Sequence, residues 1–580
     1  MTFNKYYQDE LLYLRELGRE FSSAHPEAAS FLAEPGSDPD VERLIEGFAF
    51  LTARVREKLD DELPEITHSL MEMFWPHYLR PLPSCTTLQF EALTQAAKET
   101  RVIAAGVEID SQPVDGTSCR FRTAFPVTLL PLSLQGVELR RGSPPTLALK
   151  FKLADGVTAA KADIKSLRLH LSGESSVSRA LYLCLTRYFH KAVAKPLTPA
   201  GASVNLDARA VGVGFAPDEA LLSFPNASFT GFRLLQEYFA FPAKFMYVDI
   251  TGLQGLSALG AATTFELQLQ LSRLPENMPP VAPGNVLLNC TPAINLFKHD
   301  ADPIRVDLKR TEYFVRPAGT NARHYEIHSI DRVAGMPRGT SRIREYRPLF
   351  RLASRPDPDA VYYRARLHPA VVGDGTDVML SVTGGLHNAQ SPDVETLSID
   401  LFCTNRALPT KLGIGDVNVT TSSAPTFARA KNITRPTASI APPMGDDLHW
   451  RLISHLSLNY LSLVDLENLR SLIGLYNFRT RVDRQAENAH RLMLAALEKI
   501  SAKPGVRLVQ GAPVRGMEVE LEVVEDGFGG EGEAYLFGSV LSEFLAQYVS
   551  LNAFSRLTLK GIKYGEVHTW PAKSGRRILV

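Results

Sequence analysis

A chain of 580 residues with 45% hydrophobic and 22% charged residues has the composition of a folded globular protein, which excludes an extensively disordered one. Its 63 basic residues balance 63 acidic ones, so no global charge draws it to nucleic acid or to an anionic membrane. At about 150 residues per domain, the length predicts three or four domains.

Residues 3–24 predict a first helix. Phe3, Tyr7, Leu11, Leu14 and Phe21 fall on one stripe, while Asp9, Arg15, Glu16, Arg19 and Glu20 lie mostly off it. The early acids and the amphipathic pattern argue against a secretory signal, and no apolar run approaches the roughly 18 residues that span a bilayer. A cytoplasmic location is expected. His25-Pro26 ends or resets the helix. A second helix is expected after Asp38, the N-cap, with Pro39 at the first helical position and Asp40 and Glu42 at the positive dipole end. Val41, Leu44, Ile45, Phe48, Leu51, Val55 and Leu59 follow at helical spacing. A third helix, about 64–74, carries Ile66, Leu70, Met73 and Phe74, and Leu79-Arg80-Pro81-Leu82-Pro83 reads as a stiff linker.

Beyond residue 84, short alternating runs at Thr87–Glu91, Arg101–Ile109 and Ser166–Leu171 are broken by Gly and Pro, which predicts antiparallel sheets. One helix is expected near Ser178–His190. Phe265, Leu267, Leu269 and Leu271 alternate with polar residues as a half-buried strand does, and the Pro-rich stretch Leu274–Pro283 reads as a hinge. A second β-rich block runs from about 286 to 404, with strands at Tyr362–Leu367, Val378–Val382 and Leu397–Phe402. After Pro442-Pro443 the pattern turns helical through 448–461. Asp465 then caps a helix carrying Leu466, Leu469, Leu472, Ile473 and Tyr476. Strands are expected near 506–509 and 517–524, followed by the most apolar helix, about 534–553. The expected class is α+β multidomain: an N-terminal helical assembly region at 1–83, a β-rich domain at 84–283, a second β-rich domain at 284–442 and an α+β C-terminal domain at 443–580.

Motifs that carry chemistry are missing. There is no phosphate-binding GxxxxGK[ST] loop, no HExxH and no GxSxG. Gly212-Val213-Gly214 lacks the third glycine of a dinucleotide fingerprint and reads as a turn. Asp60-Asp61-Glu62 points its carboxylates in different directions and reads as a solvated helix end or a salt-bridge partner. Asp374–Asp377 lacks the further acids of a calcium loop and reads as a hairpin turn. His324 and His328 are four apart in a segment that looks like strand. The arginine-rich run Arg338–Arg355, with Tyr346 and Phe350 interleaved, weighs nucleic-acid contact against interface salt bridges, and the overall charge balance favours the latter. Cys85, Cys119, Cys184, Cys290 and Cys403 are odd in number, far apart and never in a CxxC pair, which predicts buried free thiols. No metal, nucleotide or covalent cofactor is expected.

Several stretches resemble the TssF family, also called VasA or ImpG. They are Tyr6-Tyr7 with Tyr13-Leu14-Arg15-Glu16; Asp38–Leu44 leading into Gly47–Ala53; Lys58–Glu62; Pro76-His77-Tyr78-Leu79-Arg80-Pro81; Cys290–Phe297; Cys403-Thr404-Asn405-Arg406; Leu456–Leu463; and Leu551-Asn552-Ala553-Phe554. They span the chain in order, and the resemblance implies a role. In that family two copies join one TssG to form a wedge of the type VI secretion baseplate, around a VgrG spike hub. TssK and the sheath-linked TssE attach to it, and the baseplate docks on a membrane complex and nucleates the contractile sheath. It implies no enzymatic activity, no nucleic-acid partner and no membrane insertion. The competing readings are an enzyme, such as a hydrolase with scattered Asp, Glu and His residues, and a β-rich binding module. The first needs a convergent pocket and the second an export signal.

Two surfaces are expected to assemble. The N-terminal helices carry Phe3, Tyr7, Leu11, Leu14, Phe21, Phe48 and Phe74, aromatics and leucines suited to an intermolecular bundle or to a domain core. The helix at 534–553 has more apolar surface than one stripe needs. If another subunit covers the excess, Phe544 and Tyr548 are the anchors; strands at 517–524 and 557–562 are the internal alternative.

Overall fold

The structure is a computed structural model that describes residues 2–24, 39–60, 64–93, 98–224, 229–307, 310–337, 343–349, 360–370, 375–383, 395–443, 451, 464–509, 512–549 and 553–575. It divides into two compact units: Met1–Glu72 with Met444–Ile453, and Met73–Pro443 with Ser454–Val580.

The first unit is helical. Helix α1 (Thr2–Ala24) packs along α2 (Pro39–Asp60), and α3 (Pro64–Phe74) follows. Ala49 and Ala53, one turn apart on α2, are fully buried, as small side chains are where helices approach closely. Leu11 is buried on α1, and Tyr7 meets Phe50 edge-on at 6.5 Å. The expected cap Asp38 and the acids Asp61 and Glu62 lie outside the described residues.

The second unit is built on sheets. A six-stranded antiparallel sheet runs in the order Val417–Thr420, Glu108–Ser111, Arg120–Thr123, Cys290–Ile294, Cys85–Ala92, Ala428–Asn432. Its core is Leu88, Phe90, Ile109, Phe121, Ala293 and Val417. These strands come from both sides of residue 284, so the expected boundary there does not separate sheets. Composition marks where strands are, while pairing joins strands some 200 residues apart in sequence. The expected strand Arg101–Ile109 is two strands in different sheets, because the chain turns at Gly106, whose φ of +88° is open to glycine.

A five-stranded sheet follows the order Val204–Leu206, Phe189–Thr198, Thr264–Leu271, Thr146–Leu153, Leu132–Arg140. A four-stranded one follows Arg209–Gly212, Tyr247–Thr251, Ser166–Leu171, Val286–Leu287. Helices α4 (Ser175–Arg187) and α5 (Gly231–Ala240) belong to this region. Residues 297–404 form their own sheet: Phe297–Asp300, Glu395–Thr404, Glu326–Pro337, Arg344–Pro348, Val361–Pro369, Thr376–Thr383 and Tyr313–Val315, with Ile304–Val306 also on Glu395–Thr404. Val333, Leu380, Leu397, Ile399 and Leu401 are its buried centre.

The C-terminal part begins with α6 (Leu466–Tyr476), capped as expected by Asp465, whose carboxylate accepts from Asn468 N at 3.1 Å. Asp483 caps α7 (Arg484–Ala495) in the same way. The long hairpin Leu497–Val509 and Ala512–Val523 extends the two short strands expected there. Glycines at 529 and 530, with φ of +79° and +126°, then turn the chain into α8 (Glu531–Gln547). After α8 the strand Ala553–Gly561 returns parallel to Ala512–Val523, so α8 is the crossover of a β-α-β unit. It packs on that strand, on α4 and on α5, which explains its all-round apolarity.

Candidate assembly surfaces

Groups that the sequence marked for chemistry do not converge. Among the described residues no three of His, Cys, Asp and Glu stand close enough to hold a metal ion. His324 shares a 2.8 Å hydrogen bond with Thr117 Oγ1, whereas His328 is buried on a strand, where burial pushes its imidazole well down. Gly212 ends a strand and Gly214 sits in a turn at φ +108°. Asp377 lies in the hairpin of Val361–Pro369 and Thr376–Thr383 and pairs with Arg406 at 3.5 Å. Of the arginine run, Arg344 and Arg347 lie in a strand, and Arg338, Arg342, Arg351 and Arg355 lie outside the described residues. All five cysteines are free and buried, and burial pushes the thiols of Cys119, Cys184 and Cys403 up to about 12, far from a reactive thiolate.

A cleft of about 440 Å³ is lined by strands Cys85–Ala92 and Leu132–Arg140 and by Val286–Asn289. Its titratable residues are Glu91 and Lys152, and Glu91 is held by Lys431 at 2.6 Å. Elsewhere, buried charges are structural. Glu237 accepts from the Leu221 and Leu222 amides at 2.8 and 2.9 Å and pairs with Lys244, whose ammonium burial disfavours. Glu533 is buried against Tyr238 and Arg179.

Among the described residues the first unit instead presents exposed apolar side chains. Leu44, Phe48, Leu51 and Val55 of α2 are spaced four, three and four apart, the spacing of a coiled-coil seam. They are 74%, 60%, 62% and 58% exposed. Ile45, Ala49 and Ala53, spaced one turn apart, lie roughly 100° to 180° round the helix from Leu44, on the face turned inward. So α2 has two apolar faces, one used and one bare. On α1, Leu12, Tyr13, Leu17 and Phe21 are also exposed.

The expected interface residues divide accordingly. Phe21, Phe48 and Phe74 are exposed, Tyr7 and Leu14 half-buried and Leu11 buried, while the Phe3 side chain lies outside the described residues. Phe544 is corrected: it is fully buried in the chain's own core, with ring centroids 6.1 Å from Phe229 and 6.0 Å from Phe232. Tyr548 is half-buried on Phe229 at 4.1 Å. The excess apolar surface of α8 is thus met by α4, α5 and a strand of the same chain. Leu44, Leu51 and Val55 were not among the expected interface residues, although their three-four spacing was in the sequence and their side chains are exposed.

The family model described as type VI secretion system, TssF, matches residues 1–577. The chain belongs to the TssF family. The type VI secretion system component TssF1 of Pseudomonas aeruginosa is 32% identical, over 99% of this chain and 98% of that protein. Among solved structures, a chain of a type VI secretion TssK-TssF-TssG baseplate subcomplex matches with a TM-score of 0.78 and 32% identity, over 93% of this chain and 99% of that one. A chain of the baseplate complex from the type VI secretion system matches with a TM-score of 0.68 and 27% identity over all of both chains.

Stretches through which the sequence resembles TssF now have physical roles. Cys290–Phe297 and Cys403–Arg406 are the two crossings into the 297–404 sheet. There Asn295 Nδ2 donates to Asn405 Oδ1 at 2.8 Å, and Asn405 N donates to Asn295 Oδ1 at 2.6 Å. Asn295 also donates to the Arg120 carbonyl, and Arg120 N donates to Asn405 Oδ1 at 3.2 Å. Both asparagines are fully buried, so each bond stands in for water the site excludes. In Pro76–Pro81, His77 Nε2 lies 3.1 Å from the Tyr476 hydroxyl and Tyr78 donates to the Leu475 carbonyl at 3.2 Å, tying this stretch to α6.

Proposed function

We propose that this TssF-family chain is a structural wedge component of the type VI secretion baseplate, without catalytic activity. It assembles with a TssG-like and a TssK-like subunit, and with a second copy of itself, around a VgrG-like hub near a TssE-like subunit. It works in the cytoplasm, in a baseplate docked at the inner membrane complex. The observation that carries this reading is the exposed seam Leu44, Phe48, Leu51 and Val55 on a helix whose other apolar face, with Ala49 and Ala53, is already packed. Four exposed large apolar side chains at coiled-coil spacing are costly in water and suit a second helix laid along them. The full-length match to a chain solved with TssK and TssG supports the choice of partners. Among the described residues no helix is long and apolar enough to cross a membrane.

The test is capture by a tagged TssG-like subunit. The double variant Phe48→Glu, Leu51→Glu places charge in the seam and is expected to lose at least tenfold in affinity. Its melting temperature is expected to stay within about 2 °C of the parent, since both side chains are already in water. Undiminished capture of the double variant sinks the seam as the docking surface.

A further inference from the structure

We propose that the outer face of the five-stranded sheet is a docking surface for an acidic face of a partner protein. Across antiparallel strands, residues directly opposite share a face. Glu266 is flanked by Lys150 on one neighbouring strand and Lys195 on the other. Thr264 opposes Lys152, and Gln270 opposes Lys191. Arg140 completes the row on the edge strand, opposite Thr146, with Glu138 nearby. Five cations therefore meet two carboxylates, a local excess of three positive charges on a chain that is neutral as a whole. The reverse side of the same strands, with Leu147, Leu149, Phe151, Leu267 and Leu269, is buried.

That excess already counts the two carboxylates, and both are engaged by Arg140. Glu266 is occupied by Arg140, which donates to both of its oxygens at 2.8 Å, and Glu138 takes a further bond from Arg140 at 2.9 Å. Among the described residues no carboxylate stands within ion-pair distance of Lys150, Lys191 or Lys195, and Lys152 reaches only Asp155 at 4.0 Å. The C-terminal sheet shows the contrasting arrangement. There Glu518 and Glu520 sit on a central strand and are paired from either side, by Arg507 at 2.7 Å and Lys560 at 2.8 Å. The five-stranded sheet instead leaves Lys150 and Lys152 on one strand and Lys191 and Lys195 on another, an array of cations that complements carboxylates spaced on a folded protein surface.

The proposal rests on the baseplate reading only for where the partner is found, and two measurements on the full chain keep the two apart. In the first, a soluble ten-residue glutamate peptide is titrated at low salt into the parent and into the triple variant Lys150→Glu, Lys191→Glu, Lys195→Glu. The variant is expected to bind at least tenfold more weakly, with an unchanged melting temperature. Equal binding overturns the proposal, as does a stronger, variant-sensitive interaction with duplex DNA or with phosphatidylglycerol vesicles. In the second, lysine acetylation is compared between the isolated chain and its complex with the TssG-like and TssK-like subunits. Lys150, Lys191 and Lys195 are expected to be protected at least fivefold, and the exposed Lys161 and Lys165 to react unchanged. A complex that leaves the three lysines as reactive as before contradicts the proposal.

Discussion

His170 shows how one buried side chain sets the molecule's response to acid. It lies on Ser166–Leu171 with its ring 4.5 Å from Tyr247, and among the described residues its Nδ1 has no hydrogen-bond partner. Burial pushes the imidazole from 6.5 down to about 4. The unfolded chain therefore takes up a proton between pH 6.5 and pH 4 that the folded chain refuses. Stability from this residue is complete above pH 6.5 and is lost as pH falls towards 4, by up to about 3 kcal/mol over the window. His170→Phe keeps a ring on Tyr247 and removes the titration. The melting temperature of the variant is expected to fall less between pH 6.5 and pH 4 than that of the parent. Identical slopes would show that His170 does not contribute to acid sensitivity.

Elements were legible in the sequence where their cause is local, and obscure where it is not. Helix α6 follows from an aspartate cap and a 3.6-residue apolar spacing, and the strand Ser166–Leu171 from alternation; both have the expected place. The partner strands of Cys85–Ala92 could not be read, because Cys290–Ile294 and Ala428–Asn432 meet it through registers that no local pattern records. The apolarity of α8 was legible, and so was one cover for it, since the strand expected at 557–562 overlaps Ala553–Gly561, on which α8 packs; the rest of the cover, α4 and α5, comes from distant sequence, and Phe544, read as an anchor for another subunit, lies in the core. The bare seam of α2 was written in the spacing of Leu44, Phe48, Leu51 and Val55, while which face α1 occupies depends on the fold. The 297–404 sheet offers a test at this scale. Its crossings are joined by the Asn295–Asn405 pair, so its two ends lie side by side. Replacing residues 297–403 with two glycines is expected to leave a soluble chain with one cooperative melting transition from the rest of the second unit. A chain that exposes its core, read by dye binding and loss of the transition, would show instead that this sheet is needed for the others to fold.

At the scale of the whole molecule, the parts have a common character. Buried charges such as Glu237 with Lys244 and Glu533 with Arg179 are paired within the chain, the thiols are held neutral, and the described surface includes an exposed apolar helix seam and a basic sheet face. Both are features that another polypeptide is proposed to complete. A structural component of a baseplate is defined by what it assembles with rather than by turnover. Native mass spectrometry of the chain co-expressed with TssG-like and TssK-like subunits measures that directly. The expected result is a discrete complex containing two copies of this 64.0 kDa chain for each TssG-like subunit, abolished by Phe48→Glu with Leu51→Glu. A chain that stays at 64.0 kDa in the presence of both subunits would contradict it.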